Sequence, residues 1–206
     1  ALPIWEAGDR EEGDAIAVAL LSRLSDLAPV CFVNGNHEMC VERHQPERYQ
    51  KFMDDLKNGG VQVLHNETAW FWIDGEKVAV TGYELPWEYY RRFSRRHPSV
   101  VGMERSIGKR KQDAYQILLT HNPVFFEEYT AWGADFTFAG HLHGGFIRLP
   151  YFGGVISPQF QLFPKYDHGL YQMDTSSMVV GAGMGNHSGL FRINNPTEIV
   201  TVRIKR

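Results

Sequence analysis

Apolar residues at positions 16, 17, 20, 21, 24, 27 and 28 recur at helical spacing. They predict a helix over 14–28, with Asp14 as its N-cap and Pro29 just past its end. The run 29–33 is short and apolar and predicts a strand. A second helix is predicted over 46–58, with Pro46 in its first turn and Gly59-Gly60 as its stop. Strands are predicted over 61–64, 68–73 and 77–81, the last two joined by an Asp74-Gly75 hairpin turn. Further on, 115–120 and 135–139 read as strands, with a short helix over 123–131 between them. Late strands are predicted over 178–180 and 198–204, the latter as a sheet edge.

Helices alternate with strands early and strands dominate late, which predicts a layered α/β fold. Three of the apolar strands end in polar bursts: VCFVNGNHE, QILLTHNP and FTFAGHLHGG. A fourth burst is Gly8-Asp9. In open α/β sheets, ligands bind beyond the carboxyl ends of the strands. The bursts supply Asp9, Asn36, His37, His121, His141 and His143. A carboxylate, an amide oxygen and imidazoles suit Mn, Fe or Zn better than soft Cu(I). Gly140, Gly144 and Gly145 allow the sharp backbone bends such a site needs. If residues 141–143 continue the strand, His141 and His143 share a face and Leu142 takes the other.

Composition narrows the classes. The chain has 206 residues, 43% of them hydrophobic, enough for a packed core. A single domain over 1–206 is the simplest reading, since no repeat or low-complexity linker divides it. A net charge of -3 argues against a general nucleic-acid binder. No apolar run approaches the roughly 18 residues of a membrane span, and no signal-peptide pattern opens the chain. A cytoplasmic or membrane-associated location is therefore expected. Cys31 and Cys40 are too few for a disulfide framework and are expected as reduced thiols.

The ordered set Gly8-Asp9, Gly35-Asn36-His37-Glu38, His121 and Gly140-His141-Leu142-His143 resembles the calcineurin-like metallophosphoesterases. The C-terminal residues Leu162 to Tyr166, Gly169 to Tyr171 and Asn195 to Ile199 are similar to its bacterial YkuE-type branch. The resemblance implies a four-layer α/β sandwich: two mixed β-sheets face to face with helices outside. It also implies a binuclear metal centre. Asp9 would bridge two ions, Asn36, His121 and His141 would complete one, and His143 would bind the other. A water activated by the ions would attack phosphorus, with His37 assisting the leaving group and Glu38 orienting the His37 ring. Phosphodiesters or pyrophosphate-linked lipids are the expected substrates, ahead of phosphoproteins.

The family's first motif, Asp-x-His, is not found upstream of Gly8. An N-terminally truncated chain, missing the first strand of one sheet, is the expectation that follows. Metal content nearer one tight ion than two is expected with it. The alternative is a non-catalytic scaffold or binding protein that keeps the phosphoesterase fold. His44, His65, His97 and His168 read as surface or packing residues, while His187 and Arg192 are substrate-side candidates. The segment 87–111 carries eight basic residues against Glu88 and Glu104, with Trp87, Tyr89, Tyr90 and Phe93 interleaved. It reads either as a solvated helix or insertion, or as a patch for an anionic membrane surface, a large anionic substrate or single-stranded nucleic acid.

Overall fold

The computed structural model describes residues 11–91, 96–144, 148–149, 153–154, 163–184 and 194–204. The chain opens with α1 (Glu11–Ser25), β1 (Cys31–Phe32), α2 (Asn36–His44), α3 (Pro46–Asn58) and β2 (Gln62–Val63). The hairpin of β3 (Thr68–Ile73) and β4 (Glu76–Tyr83) follows. A 3-10 turn over Trp87–Tyr90 then leads to α4 (Val100–Ile107) and β5 (Tyr115–Thr120). Another 3-10 turn, Pro123–Phe125, runs into α5 (Phe126–Trp132) and β6 (Phe136–Ala139). The two-residue strands β7 (Arg148–Leu149) and β8 (Gly153–Gly154) precede β9 (Gly169–Met173) and β10 (Ser176–Val180).

The fold is α/β, with a mixed six-stranded sheet in the order β3-β4-β5-β6-β10-β9 and a small parallel sheet of β1 and β2. Four layers follow from which side chains each face buries. Leu21 of α1 and Phe52, Met53 and Leu56 of α3 pack on Phe32 and Val63 of the small sheet. The other face of that sheet meets the large one, where Cys31 joins Val78, Val80, Ile117 and Leu119. Leu118 points the opposite way, to Met103 and Ile107 of α4 and Tyr129 and Trp132 of α5. Alternation along β5 thus splits its side chains between two cores. Burying each large apolar side chain contributes about 1.5–3 kcal/mol. The two sheets approach closely at Gly82, where an added Cβ would lie 2.5 Å from the Leu64 carbonyl oxygen.

Some polar groups inside this core are held by bonds. Gln116 is fully buried, and its amide donates to Thr81 Oγ1 at 2.8 Å and to the Ala79 carbonyl at 3.2 Å. Arg110 forks onto both carboxylate oxygens of Asp135 at 2.9 and 3.0 Å, and Asp135 in turn accepts the Gln116 N–H at 2.7 Å.

Several predicted elements change on inspection. Asp14 does not cap α1; it lies inside the helix and accepts Arg48 Nε at 2.7 Å and Nη2 at 2.9 Å from α3. The polar burst after β1 is the first turn of α2, with Gly35 in extended conformation as its N-cap. Residues 198–204 form no strand; the Glu198 N–H reaches the Gly183 carbonyl at 3.2 Å, but no ladder develops. β9, which pairs antiparallel with β10, carries no strong apolar run and is not legible from its sequence. The Asp74-Gly75 turn is as expected, with φ 51° and 82°, the doubly left-handed turn that suits a two-residue hairpin. Cys31 and Cys40 are free thiols, and burial pushes Cys31 up to about 11, which keeps it an inert core group.

Candidate metal centre at the strand ends

β1, β5 and β6 run their carboxyl ends to one edge of the molecule, and each delivers part of the site. From β1 the chain enters α2, which opens with Asn36 and His37. Helix formation here is driven by Glu38, whose carboxylate turns back to accept the Gly35 N–H at 2.7 Å. This is one half of a capping box and satisfies one of the helix's orphan donors. Glu38 thereby serves the helix start. Burial, ahead of the nearby acids Glu84 and Asp14, pushes its carboxyl up to about 7.

From β5 comes His121. Its carbonyl accepts the Gly140 N–H at 3.0 Å, and the next carbonyl, of Asn122, accepts the Tyr129 hydroxyl at 2.7 Å. Its ring lies flat against Gly35: an added Cβ there would stand 2.9 Å from Cγ and Nδ1. A glycine at 35 is thus a requirement of close approach, since its φ of -102° suits any residue.

From β6 come His141 and His143, both buried. They do not continue the strand. The Leu142 N–H closes onto the Gly140 carbonyl at 2.7 Å around His141, whose φ is 63°. A three-residue turn of that hand is rare and strained. His143 has φ 49° and Gly144 φ 70°. Leu142, with no exposed surface, anchors the turn in the core. Two-residue alternation therefore does not account for the pairing of these histidines; a tight left-handed turn does.

The three arrivals meet. His141 Nδ1 lies 3.0 Å from Asn36 Oδ1. The His121 and His141 rings are 4.9 Å apart, centroid to centroid, edge to face. Burial lowers the His121 pKa well below its ordinary value, with His141, His143 and His37 all near enough to push it the same way. His121 is thereby neutral and keeps a lone pair. Asp9, His187 and Arg192 lie outside the described residues.

Tyr90 is part of this site and was not expected there. Its buried ring meets His141 edge-on at 5.2 Å and His121 at 6.1 Å. Nothing in the spacing of 87–111 marks it out from Tyr89, whose ring packs on Phe125 instead. The segment is only partly a solvated surface: Met103 and Ile107 are core residues and Arg110 is tied to Asp135. Trp87, Arg91, Arg96, Arg105 and Lys109 remain exposed, while Arg92, Phe93 and Arg95 lie outside the described residues.

The four histidines set aside as packing residues have local partners. His44 sits beside the Cys40 carbonyl, His65 beside Glu84, His97 beside Glu128 and His168 beside Glu198.

A layered α/β protein with imidazoles and an amide oxygen converging at its strand ends presents the donor types of a metal-binding protein. The chain belongs to the calcineurin-like phosphoesterase family, whose model matches residues 7–145. It is 28% identical over 154 residues to the uncharacterized protein YpbG of Bacillus subtilis, covering 71% of this chain and 52% of that one. It is 30% identical over 102 residues to the uncharacterized metallophosphoesterase YkuE of the same organism, covering 50% and 35%. It is 24% identical over 185 residues to the phosphodiesterase YaeI of Escherichia coli, covering 90% and 62%. The chain thus spans less than two thirds of the length of each of these relatives. No solved structure matches it. No described helix is long and apolar enough to cross a membrane.

Family membership implies divalent metal ions, and the residues present fit them. His121 Nε2 is shielded from solvent and meets no hydrogen-bond partner among the described residues. A buried imidazole nitrogen left so is costly unless something else binds it. His141 Nδ1 and Asn36 Oδ1, 3.0 Å apart, bring two further donors of the types that bind such ions. Among the described residues no three His, Cys, Asp or Glu side chains form a metal-binding group by themselves. The set described above draws its third donor from an asparagine.

Proposed function

We propose that this chain hydrolyses phosphate esters, with diesters or pyrophosphate-linked substrates preferred. The observation that carries the reading is the meeting of Asn36, His121 and His141 from three separate strand ends, with His121 held neutral. The diester preference is supported by the similarity to a relative named as a phosphodiesterase.

Asn36, His121 and His141 would hold one ion and His143, with Asp9, a second, the ions being Mn, Fe or Zn. Such ions, when bound, polarise a phosphoryl oxygen and lower the pKa of water. The chain's own residues do the rest. His37, half-buried in the first turn of α2, donates a proton to the departing oxygen. The N-terminus of α2 favours the anionic phosphoryl group through its dipole. Tyr90 closes one side of the imidazole cluster and keeps water from it. The exposed residues Trp87, Arg91, Arg96, Arg105 and Lys109 gather anionic substrate or lipid headgroups at the surface. Pelleting with liposomes of anionic and of neutral lipid tests that surface role, and no binding at low salt would end it.

Hydrolysis of bis-p-nitrophenyl phosphate with added Mn²⁺ tests the main reading. Turnover that vanishes in His37→Ala with metal content intact supports it. No turnover from the chain, or from a longer form carrying an upstream Asp-x-His, would transfer support to the non-catalytic scaffold.

A further inference from the structure

The turn that carries His141 and His143 has two consecutive strained features, and something must hold it. We infer that Asn195 is the positioning residue for this turn, setting His143 for metal binding from a part of the chain outside the family match. The inference rests on the reading of His143 as a metal-facing residue.

Asn195 is 4% exposed and its amide Nδ2 donates to the His143 carbonyl. The contact is close packed as well as polar. A Cβ on Gly144 would stand 2.8 Å from Asn195 Oδ1, and Gly144 itself needs its φ of 70°. Asn195 therefore grips the two residues that finish the Gly-His-Leu-His turn. A left-handed residue outside glycine is costly and persists only where neighbours over-determine it. Leu142 supplies the hold from below and Asn195 from the other side.

Asn195 is itself anchored. Three residues on, the Glu198 N–H meets the Gly183 carbonyl at 3.2 Å. Its carboxylate accepts the Ala182 N–H at 2.7 Å and pairs with His168 Nε2 at 2.8 Å. Ala182 and Gly183 lie just beyond the end of β10, which runs parallel to β6. The exits of two neighbouring strands are thus bridged: β6 delivers the histidine turn, and β10 carries the clamp that steadies it.

The test uses the full chain with Mn²⁺ alone as probe. Asn195→Leu keeps the branching and the number of side-chain heavy atoms, in a larger volume, and removes the donor. The expected result is Mn²⁺ affinity about 10–100-fold weaker, the range for partners that orient metal ligands. Amides 141–144 of the metal-free chain should also exchange with deuterium about tenfold faster or more, while those of α1 and α3 keep their rates. His143→Ala is measured beside it. Unchanged Mn²⁺ affinity in His143→Ala sinks the reading of His143 as a ligand, and so does a wild-type chain that binds no Mn²⁺. In either case the exchange of 141–144 still decides whether Asn195 holds the turn. Wild-type affinity and wild-type exchange in Asn195→Leu would overturn the inference. If that variant does not fold by circular dichroism, Glu198→Ala, which loosens the anchor without touching the turn, must show the same local acceleration or the inference fails.

Discussion

The Nδ1 of His141 stands 3.0 Å from the side-chain oxygen of Asn36, although 105 positions separate the two residues. The contact joins the end of β6 to the start of α2, and only the stacking of the two sheets makes it. Asn36→Ala and His141→Ala should each lower divalent metal affinity by more than the roughly 10–100-fold typical of outer-shell partners. Metal analysis after dialysis, with far-UV circular dichroism to show that the chain is folded, checks this. Stoichiometric tight metal in either variant would remove both from the ligand set.

His37 shares the first turn of α2 with Asn36 but has a different expected effect. His37→Ala should keep the wild-type metal content and lose about 10²–10⁴ in kcat, the usual worth of a positioned proton donor. Steady-state kinetics on a diester beside metal analysis separates the two roles. A fall in metal content would make His37 a ligand and not a proton donor.

Gly35→Ala removes no ligand and strains no φ, yet its Cβ would stand 2.9 Å from the His121 ring. The ring must shift, so metal affinity should fall about tenfold or more while the rest of the fold survives. Gly82→Ala meets the Leu64 backbone at 2.5 Å instead and should cost about 1–3 kcal/mol of stability. Urea unfolding of both variants, with Mn²⁺ titration, should show this difference in kind.

His65 supplies a pH dependence. Its Nδ1 lies 2.9 Å from Glu84, and that bond raises its pKa above the ordinary value against an opposing effect of burial. A histidine raised in the folded state stabilises fully below its unfolded pKa and loses that stabilisation as pH rises through the folded value. Stability should therefore decline from about pH 6.5 upward, by under about 1 kcal/mol because the pair is partly solvated. Glu84→Gln should flatten that decline in urea midpoints taken between pH 6 and 8.

The helix α3 and the strands β3 and β5 were legible to the residue: α3 states its period between Pro46 and Gly59, β3 is an apolar run that stops at Asp74-Gly75, and β5 one that stops at His121-Asn122-Pro123. Other features were not. The sequence of α2 lacks an apolar stripe; its only local signal is a Gly followed three places later by Glu38, a weak form of capping box. Residues 198–204 read as a strand by composition, but a strand needs a partner, and β9 had already taken the free side of β10. Asp14 looked like a cap because it precedes an apolar stripe; its salt bridge to Arg48 depends on α3 lying alongside. Tyr90 stood out only as one of four interleaved aromatics and Asn195 only as the first residue of a stretch of family resemblance; the role of each depends on which imidazole or carbonyl it meets.

Local order determined the donors: an amide, a carboxylate and imidazoles follow apolar runs because polar groups leave a core where a strand ends. It also determined the α/β alternation, because periods of two and of 3.6 are written in neighbouring residues. Tertiary structure alone decided that His121 Nε2 would be shielded from solvent, that Tyr90 would meet the imidazoles while Tyr89 met Phe125, and that Asn195 would grip a turn more than fifty positions back. These outcomes depend on distance in space between segments far apart in the chain, and distance of that kind exists only once the layers have packed.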